Sequence, residues 1–212
     1  MRELNCKQGS SAWHNARIGV VTGTRIGRVM GKDTTQENLM VELLTNMMGS
    51  KTDEDGFTND AMERGILMEP IALACASKTL GFKYETLGMM YSSEIEGFAT
   101  SPDAVVRNEE GVVIGGIEIK CPNTKSHLEY IVKGKIPAKY RYQIYAQFLV
   151  CPTVEWWHFM SYDDRCGNSD KSQEFYQVVW KKDILKELNE METKLRAFII
   201  KLNAKFNVLT DF

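Results

Sequence analysis

Ser101-Pro102-Asp103 is followed, fifteen residues after the aspartate, by Glu118-Ile119-Lys120 within the run Gly116-Ile117-Glu118-Ile119-Lys120-Cys121-Pro122. Side chains on a strand alternate between its faces, so Glu118 and Lys120 share one face while Ile117 and Ile119 point into a core. A strand carrying Glu-x-Lys, preceded by a strand that begins at an aspartate, brings two carboxylates and an ammonium together. Two carboxylates suit a hard divalent cation such as Mg²⁺, and a lysine beside them orients or activates water. Such a set serves phosphodiester hydrolysis, with a nucleic acid as the expected substrate. The competing reading is a turn at Pro102-Asp103 and a solvated strand face at Glu118 and Lys120.

The elements that must position these groups are legible around them. Val105-Val106 and Val112-Val113-Ile114, joined through Glu109-Glu110-Gly111, read as a hairpin that leaves Asp103 and Glu118 free to meet at one end. Upstream, the segment 59–80 has helical spacing, with Ile66, Leu67, Ile71, Leu73, Ala74 and Leu80 apolar. In it Glu69 follows Gly65 by four residues, so both lie on one helical face and a third acid stands beside a position open to close approach. An exposed helix residue is the alternative for Glu69.

Further helices are expected over 11–18, 24–30, 36–48, 126–133, 138–150 and 183–206. Strands are expected over 83–91, 98–99, 103–106, 112–120, 154–160 and 174–179. This order predicts an α/β fold, a central mixed sheet flanked by helices, in a single domain over 1–212. Segments 49–60 and 163–172 are polar and glycine-containing, and read as loops within that domain. Trp156-Trp157-His158-Phe159 reads as a core strand rather than a base-stacking surface, because alternation sends half of its rings inward.

Composition narrows the function. The 212 residues are 43% hydrophobic, enough for one large core. No stretch of about 18 apolar residues exists, which argues against a membrane span, and Met1-Arg2-Glu3-Leu4-Asn5-Cys6 lacks the apolar core of a secretory signal. Five cysteines in no paired spacing imply reduced thiols and a cytosolic setting. His14, His127 and His158 are scattered and there is no Cys-x-x-Cys, which argues against zinc and iron–sulfur clusters. A net charge of −2 leaves no uniformly basic face. Contact with DNA would then rest on local clusters, either Arg17/Arg25/Arg28/Lys32 or Lys133/Lys135/Lys139/Arg141, each of which also reads as a solvated helix face.

Five ordered blocks across residues 8–162 resemble one family. They are the segment 8–24 (Gln8-Gly9-Ser10-Ser11-Ala12-Trp13-His14-Asn15-Ala16-Arg17-Ile18-Gly19-Val20-Val21-Thr22-Gly23-Thr24), the Glu69 helix, Ser101-Pro102-Asp103, Glu118-Ile119-Lys120-Cys121-Pro122, and Tyr140-Arg141-Tyr142-Gln143 followed by Gln147. Together they are similar to the bacteriophage lambda exonuclease family, the YqaJ-type viral recombinases of the PD-(D/E)xK nuclease superfamily. The resemblance implies a Mg²⁺-dependent exonuclease that degrades one strand of linear double-stranded DNA from its 5′ end and leaves a 3′ overhang for recombination. It also implies that Asp103, Glu118 and the backbone carbonyl of Ile119 hold the metal, two ions with Mn²⁺ able to substitute, that Glu69 completes the shell through water, and that Lys120 positions the attacking water. Arg17, Thr24, Ser101 and Gln143 match the family's 5′-phosphate pocket, and Met62 matches its strand-separating wedge. A homotrimeric ring around DNA and a single-strand annealing partner are further implications.

From the chemistry, cations near Lys120 should favour its neutral form, which leaves both a general-base and an orienting role open. Thr22-Gly23-Thr24 is expected to begin a helix whose free N–H groups attract a phosphate. Two alternatives remain at this stage: a structure- or sequence-specific endonuclease of the same superfamily, and a non-catalytic DNA-end-binding protein.

Overall fold

The computed structural model describes residues 1–49, 60–167 and 169–210. In chain order the elements are β1 (Arg2–Leu4), α1 (Ser11–Asn15), β2 (Val21–Thr22), α2 (Ile26–Val29), α3 (Asp33–Met47), α4 (Asp60–Leu80), β3 (Met89–Tyr91), β4 (Phe98–Thr100), β5 (Ala104–Arg107), β6 (Val113–Lys120), α5 (Thr124–Lys133), α6 (Ala138–Val150), β7 (Trp156–Tyr162), α7 (Asp170–Gln173), β8 (Glu174–Trp180) and α8 (Leu185–Thr210). The order is the expected α/β alternation.

The strands form two four-stranded sheets, β1-β3-β4-β2 and β5-β6-β7-β8. In the second, β5 and β6 form the expected antiparallel hairpin, β7 lies parallel to β6, and β8 returns antiparallel. This is a mixed sheet flanked by helices, with the Glu-x-Lys strand at its centre. Burial on both faces explains the composition of β6: Ile117 and Ile119 pack with Ala72 and Ala76 of α4, while the face carrying Glu118 looks toward α6. The small alanines bring α4 close to the strand. The larger core lies where α3, α6 and α8 meet, with Leu39, Leu43, Ile144, Phe148, Met191, Leu195 and Phe198 all buried.

Gly115 and Gly116 have a steric cause. A Cβ on either would stand 2.4 Å from the Trp156 ring or 2.3 Å from the Trp157 ring, so both indoles lie directly against the β6 backbone. The aromatic run is therefore core on both faces. Trp157 and Phe159 enter the main cluster, and Trp156 is buried with its ring 4.7 Å from that of Phe82. His158 Nδ1 is 2.7 Å from the Tyr84 hydroxyl, as a strand residue rather than a ligand.

Several boundaries differ from expectation. The strand expected over 83–91 pairs only at Met89–Tyr91, with Glu85 making an isolated bridge to Val105, so the chain passes from one sheet to the other there. The helix expected over 24–30 is confined to Ile26–Val29, because Val21 and Thr22 pair with Phe98 and Ala99 of β4 and Arg25 N–H closes a turn onto the Thr22 carbonyl at 2.8 Å. Thr22-Gly23-Thr24 is thus the end of a strand and a turn, and four residues of helix offer no N-terminal anion site. The expected helix 11–18 stops at Asn15, and Gly19 takes φ +69°. The loop 163–172 contains α7, whereas most of the loop 49–60 lies outside the described residues. Among the described residues none of the five cysteines is joined in a disulfide, and no helix is long and apolar enough to cross a membrane.

Candidate active site

Asp103 leaves β4 through Ser101-Pro102 and sits immediately before β5. Its Oδ2 accepts the Ile119 N–H at 2.6 Å, which fixes the carboxylate against the strand that carries the other groups. Gln8 supports the approach to it by donating to the Pro102 carbonyl at 2.8 Å. Glu118 is fully buried. Its Oε1 accepts from Lys120 Nζ and from Gln143 Nε2, the latter at 2.6 Å, while its Oε2 is buried with no hydrogen-bond partner.

The electrostatics follow from crowding. Burial, and then repulsion from Asp103, push the Glu118 carboxyl up to about 8 against the pull of Lys120. Burial and Asp103 likewise push Glu69 up to about 7. Asp103 is raised as well, first by burial, although Lys120 and the Ile119 N–H oppose the shift. Burial disfavours the Lys120 ammonium, but Glu118 and Asp103 more than offset that and hold its pKa above the ordinary lysine value. The neutral lysine expected from the sequence is therefore not its state among protein groups alone: the carboxylates keep it charged. Glu69, Asp103, Glu118 and Lys120, drawn from α4, the β4–β5 link and β6, form one interacting cluster.

The donor set fits a hard divalent cation. An unpartnered, buried carboxylate oxygen and carboxyls that resist ionisation mark a place short of positive charge. Among the described residues no group of three His, Cys, Asp or Glu side chains stands ready as a cage. Mg²⁺ does not require one, since it is held by one or two carboxylates with water completing the octahedron.

Beside this cluster a cavity of about 200 Å³ is lined by Asp103 and Lys120 together with Arg17, Thr24, Ser101 and Gln143. The Arg17 guanidinium lies 4.1 Å from the centre of the Trp13 ring, and its Nη2 donates to the Thr22 and Thr24 hydroxyls at 3.4 Å each. Trp13 Nε1 donates to Ser101 Oγ at 2.8 Å. The structure thus brings all four sequence-selected pocket residues together, with Gln143 already turned onto Glu118. The Met62 side chain lies outside the described residues.

Sequence reasoning missed several members. Trp13, Gln8 and Gln147 line the same cavity. The four-residue interval from Trp13 to Arg17 was a usable signal, because it suits a guanidinium resting on a ring. Asp163 is buried and accepts from Arg64 Nη2 and Arg165 Nε at 2.8 Å each and from the Thr124 hydroxyl, while Arg165 Nη2 reaches the Pro122 carbonyl at 3.2 Å. That knot ties α4, the exit of β6 and the end of β7. Two of the four members of the first expected basic cluster are neutralised, with Arg25 at 2.9 Å from Glu42 and Arg28 paired with the same carboxylate.

A mixed sheet flanked by helices, with Asp103, Glu118 and Lys120 at the end of its β5–β6 hairpin, defines the PD-(D/E)xK nuclease fold. Residues 12–153 match the YqaJ-like viral recombinase domain, and the chain belongs to that family. It is similar to LHK-Exo, an alkaline exonuclease from Laribacter hongkongensis, at 35% identity and a TM-score of 0.82, over 95% of this chain and 97% of that one. LHK-Exo in complex with dAMP superposes with the same values. A phage-related exonuclease from Haemophilus somnus 129PT shares the fold at 12% identity, with a TM-score of 0.61 over 88% of this chain and 96% of that one. No curated protein sequence matches the chain.

Proposed function

We propose that this chain is a Mg²⁺-dependent 5′-to-3′ exonuclease that digests one strand of linear double-stranded DNA and leaves a 3′ single-stranded overhang for recombination. The observation that carries the reading is one cavity joining two unlike chemistries. Asp103 and Lys120, the latter hydrogen-bonded to Glu118, line it together with Arg17, Thr24 and Ser101. The first group suits hydrolysis, and the second suits a terminal phosphate, for which a planar guanidinium and hydroxyls are fitted donors. The dAMP bound by LHK-Exo is a mononucleotide of the kind such digestion releases.

Asp103, Glu118 and the Ile119 carbonyl would hold the metal, two Mg²⁺ ions replaceable by Mn²⁺, with Glu69 engaged through water. Bound there, the metal supplies positive charge where the phosphodiester oxygens gain negative charge during in-line displacement. Gln143 holds Glu118 Oε1 in place. Lys120 directs its ammonium N–H groups at the attacking water, while Arg17 anchors the 5′-phosphate and so sets the register of the cleaved bond. Met62 at the start of α4 is proposed as the wedge between the terminal bases.

Digestion of linear duplexes with a 5′-phosphate, linear duplexes with a 5′-hydroxyl, and covalently closed circles tests the reading. The phosphorylated ends should be degraded fastest and the circle not at all. Cleavage of the circle would instead identify an endonuclease. Arg17→Ala should slow digestion of phosphorylated ends by about ten- to a hundredfold, the scale of one lost charge-assisted hydrogen-bond pair, and barely affect hydroxyl ends. Equal losses on both would make Arg17 structural.

Long, processive digestion by a chain of net charge −2 is best reconciled with a closed ring of three copies around the duplex, whose basic residues need only line the channel. Sedimentation should give a mass of three chains, and a monomer at working concentration would reject the ring. A single-strand annealing protein is the expected partner for the exposed 3′ strand.

A further inference from the structure

The basic residues at the start of α6 remain unaccounted for by the site described above. Of the second basic cluster, Lys133 pairs with Glu129 at 3.5 Å. Lys139 and Arg141 do not pair with any carboxylate among the described residues. They rest instead on aromatic rings: Lys139 Nζ lies 4.8 Å from the centre of the Tyr140 ring, and the Arg141 guanidinium lies 4.9 Å from that of Tyr142, whose hydroxyl it reaches at 3.3 Å. A ring face fixes a cationic side chain without cancelling its charge. The contrast with Arg25 and Arg28, which share Glu42, is direct.

Their position is unfavourable for the fold alone. Both belong to the first turn of a thirteen-residue helix that has no acidic residue in that turn and no side-chain cap from Pro137. The N-terminal end of a helix carries partial positive charge, so cations there repel it and anions are attracted. Two exposed, uncompensated cations on that end make a surface that a bound polyanion would relieve. The surface also adjoins the reaction site. Lys120 Nζ lies 5.4 Å from the centre of the same Tyr140 ring that Lys139 covers, and Gln143, one turn further along α6, donates to Glu118.

We propose that Lys139 and Arg141 form a phosphate-gripping ledge that holds the DNA backbone beside the cleaved bond. The ledge rests on the duplex substrate proposed above. It reads no sequence, because it meets phosphates rather than base edges. It touches no reacting atom, so it should act on binding of the duplex and not on the chemical step.

The test compares the wild type, Lys139→Gln/Arg141→Gln and a control of equal charge change on α8, Lys201→Gln/Lys205→Gln. Binding of a 5′-phosphorylated duplex is followed in EDTA across a series of NaCl concentrations. The ledge variant should bind more weakly, with the slope of log K against log salt reduced by about one for each side chain removed, and the control should match the wild type. With metal present, the ledge variant should show a raised KM for duplex and an unchanged kcat. Its thermal midpoint should be equal to or above that of the wild type, since two cations have left a helix N-terminus. If the double substitution prevents folding, Arg141→Gln alone should give half the slope change. An unchanged slope, or an equal change in the control, overturns the ledge. Failure of the wild type to digest linear duplex at all would instead reject the exonuclease reading.

Discussion

Asp103→Asn, Glu118→Gln and Lys120→Ala should each lower the digestion of linear duplex by about a thousandfold or more, the scale expected when a group that stabilises transition-state charge is lost. Their effects on stability should diverge. The pKa values of Asp103 and Glu118 are both raised, which means that their surroundings favour the uncharged form even with Lys120 beside them. Asn and Gln imitate that uncharged form in shape. Unfolding in EDTA at pH 9, where the native carboxyls must ionise, should therefore show these two variants more heat-stable than the wild type, by about 2–4 °C for each kcal/mol relieved. Lys120→Ala should be less stable under the same conditions, because it leaves the carboxylates facing each other without a cation. Asn or Gln variants that melt below the wild type would show that the carboxylates hold the fold together rather than strain it.

Chelation should bring digestion to background, and the affinity for Mg²⁺ or Mn²⁺ should climb with pH. Glu69 and Glu118 carry folded-state pKa values of about 7 and about 8, above the value of 4.5 that each has when unfolded. Between about pH 4.5 and 8 the folded, chelated protein consequently holds more protons than the unfolded chain. Its stability is greatest at the acidic end of that window and declines as pH rises through it. A metal ion needs the ionised carboxyls and must displace those protons, so its affinity should increase by up to about tenfold per pH unit for each proton released, and flatten above about pH 8. Calorimetric titration at pH 7 in buffers of different ionisation enthalpy should detect proton release that fades by pH 9. Affinity that stays constant from pH 6.5 to 8.5 would contradict the proton-loaded cluster. Activity weighted toward alkaline pH follows from the same linkage.

The meeting of Asp103 with Glu118 and Lys120 was legible because it depends on two local rules, strand alternation and hairpin closure, which operate within about twenty residues of chain. The helices α3, α4, α6 and α8 were legible for a similar reason: their apolar spacing is long enough to exceed noise. What escaped was fixed by distant partners. Val21-Thr22 is a strand only because Phe98-Ala99 lies alongside, and no two-residue stretch carries that information. The division of the strands into two sheets, with an isolated bridge from Glu85 to Val105 between β3's approach and β5, is likewise set by distant pairings. Arg25 and Arg28 looked like a basic patch until Glu42, on the next helix, was seen to neutralise both. The sequence reading weighed Lys120 beside metal cations, whereas its nearest protein neighbours are carboxylates, which hold it charged among protein groups alone. Asp163 went unnoticed because, Arg165 aside, its partners Arg64 and Thr124 are 99 and 39 residues away.

The paired glycines of β6 bear on how this scaffold can diversify. With an indole ring pressed on each, positions 115 and 116 admit no side chain without moving Trp156 or Trp157, and through them the strand that aligns Glu118 and Lys120. Heritable change in substrate preference must therefore enter from the surrounding helices and loops, where α1, α4 and α6 present Trp13, Glu69 and Gln143 from the periphery. The centre of the sheet acts as a fixed chassis. Divergent members of such a lineage could exchange ends, partners and salt tolerance while the catalytic strand stays in place.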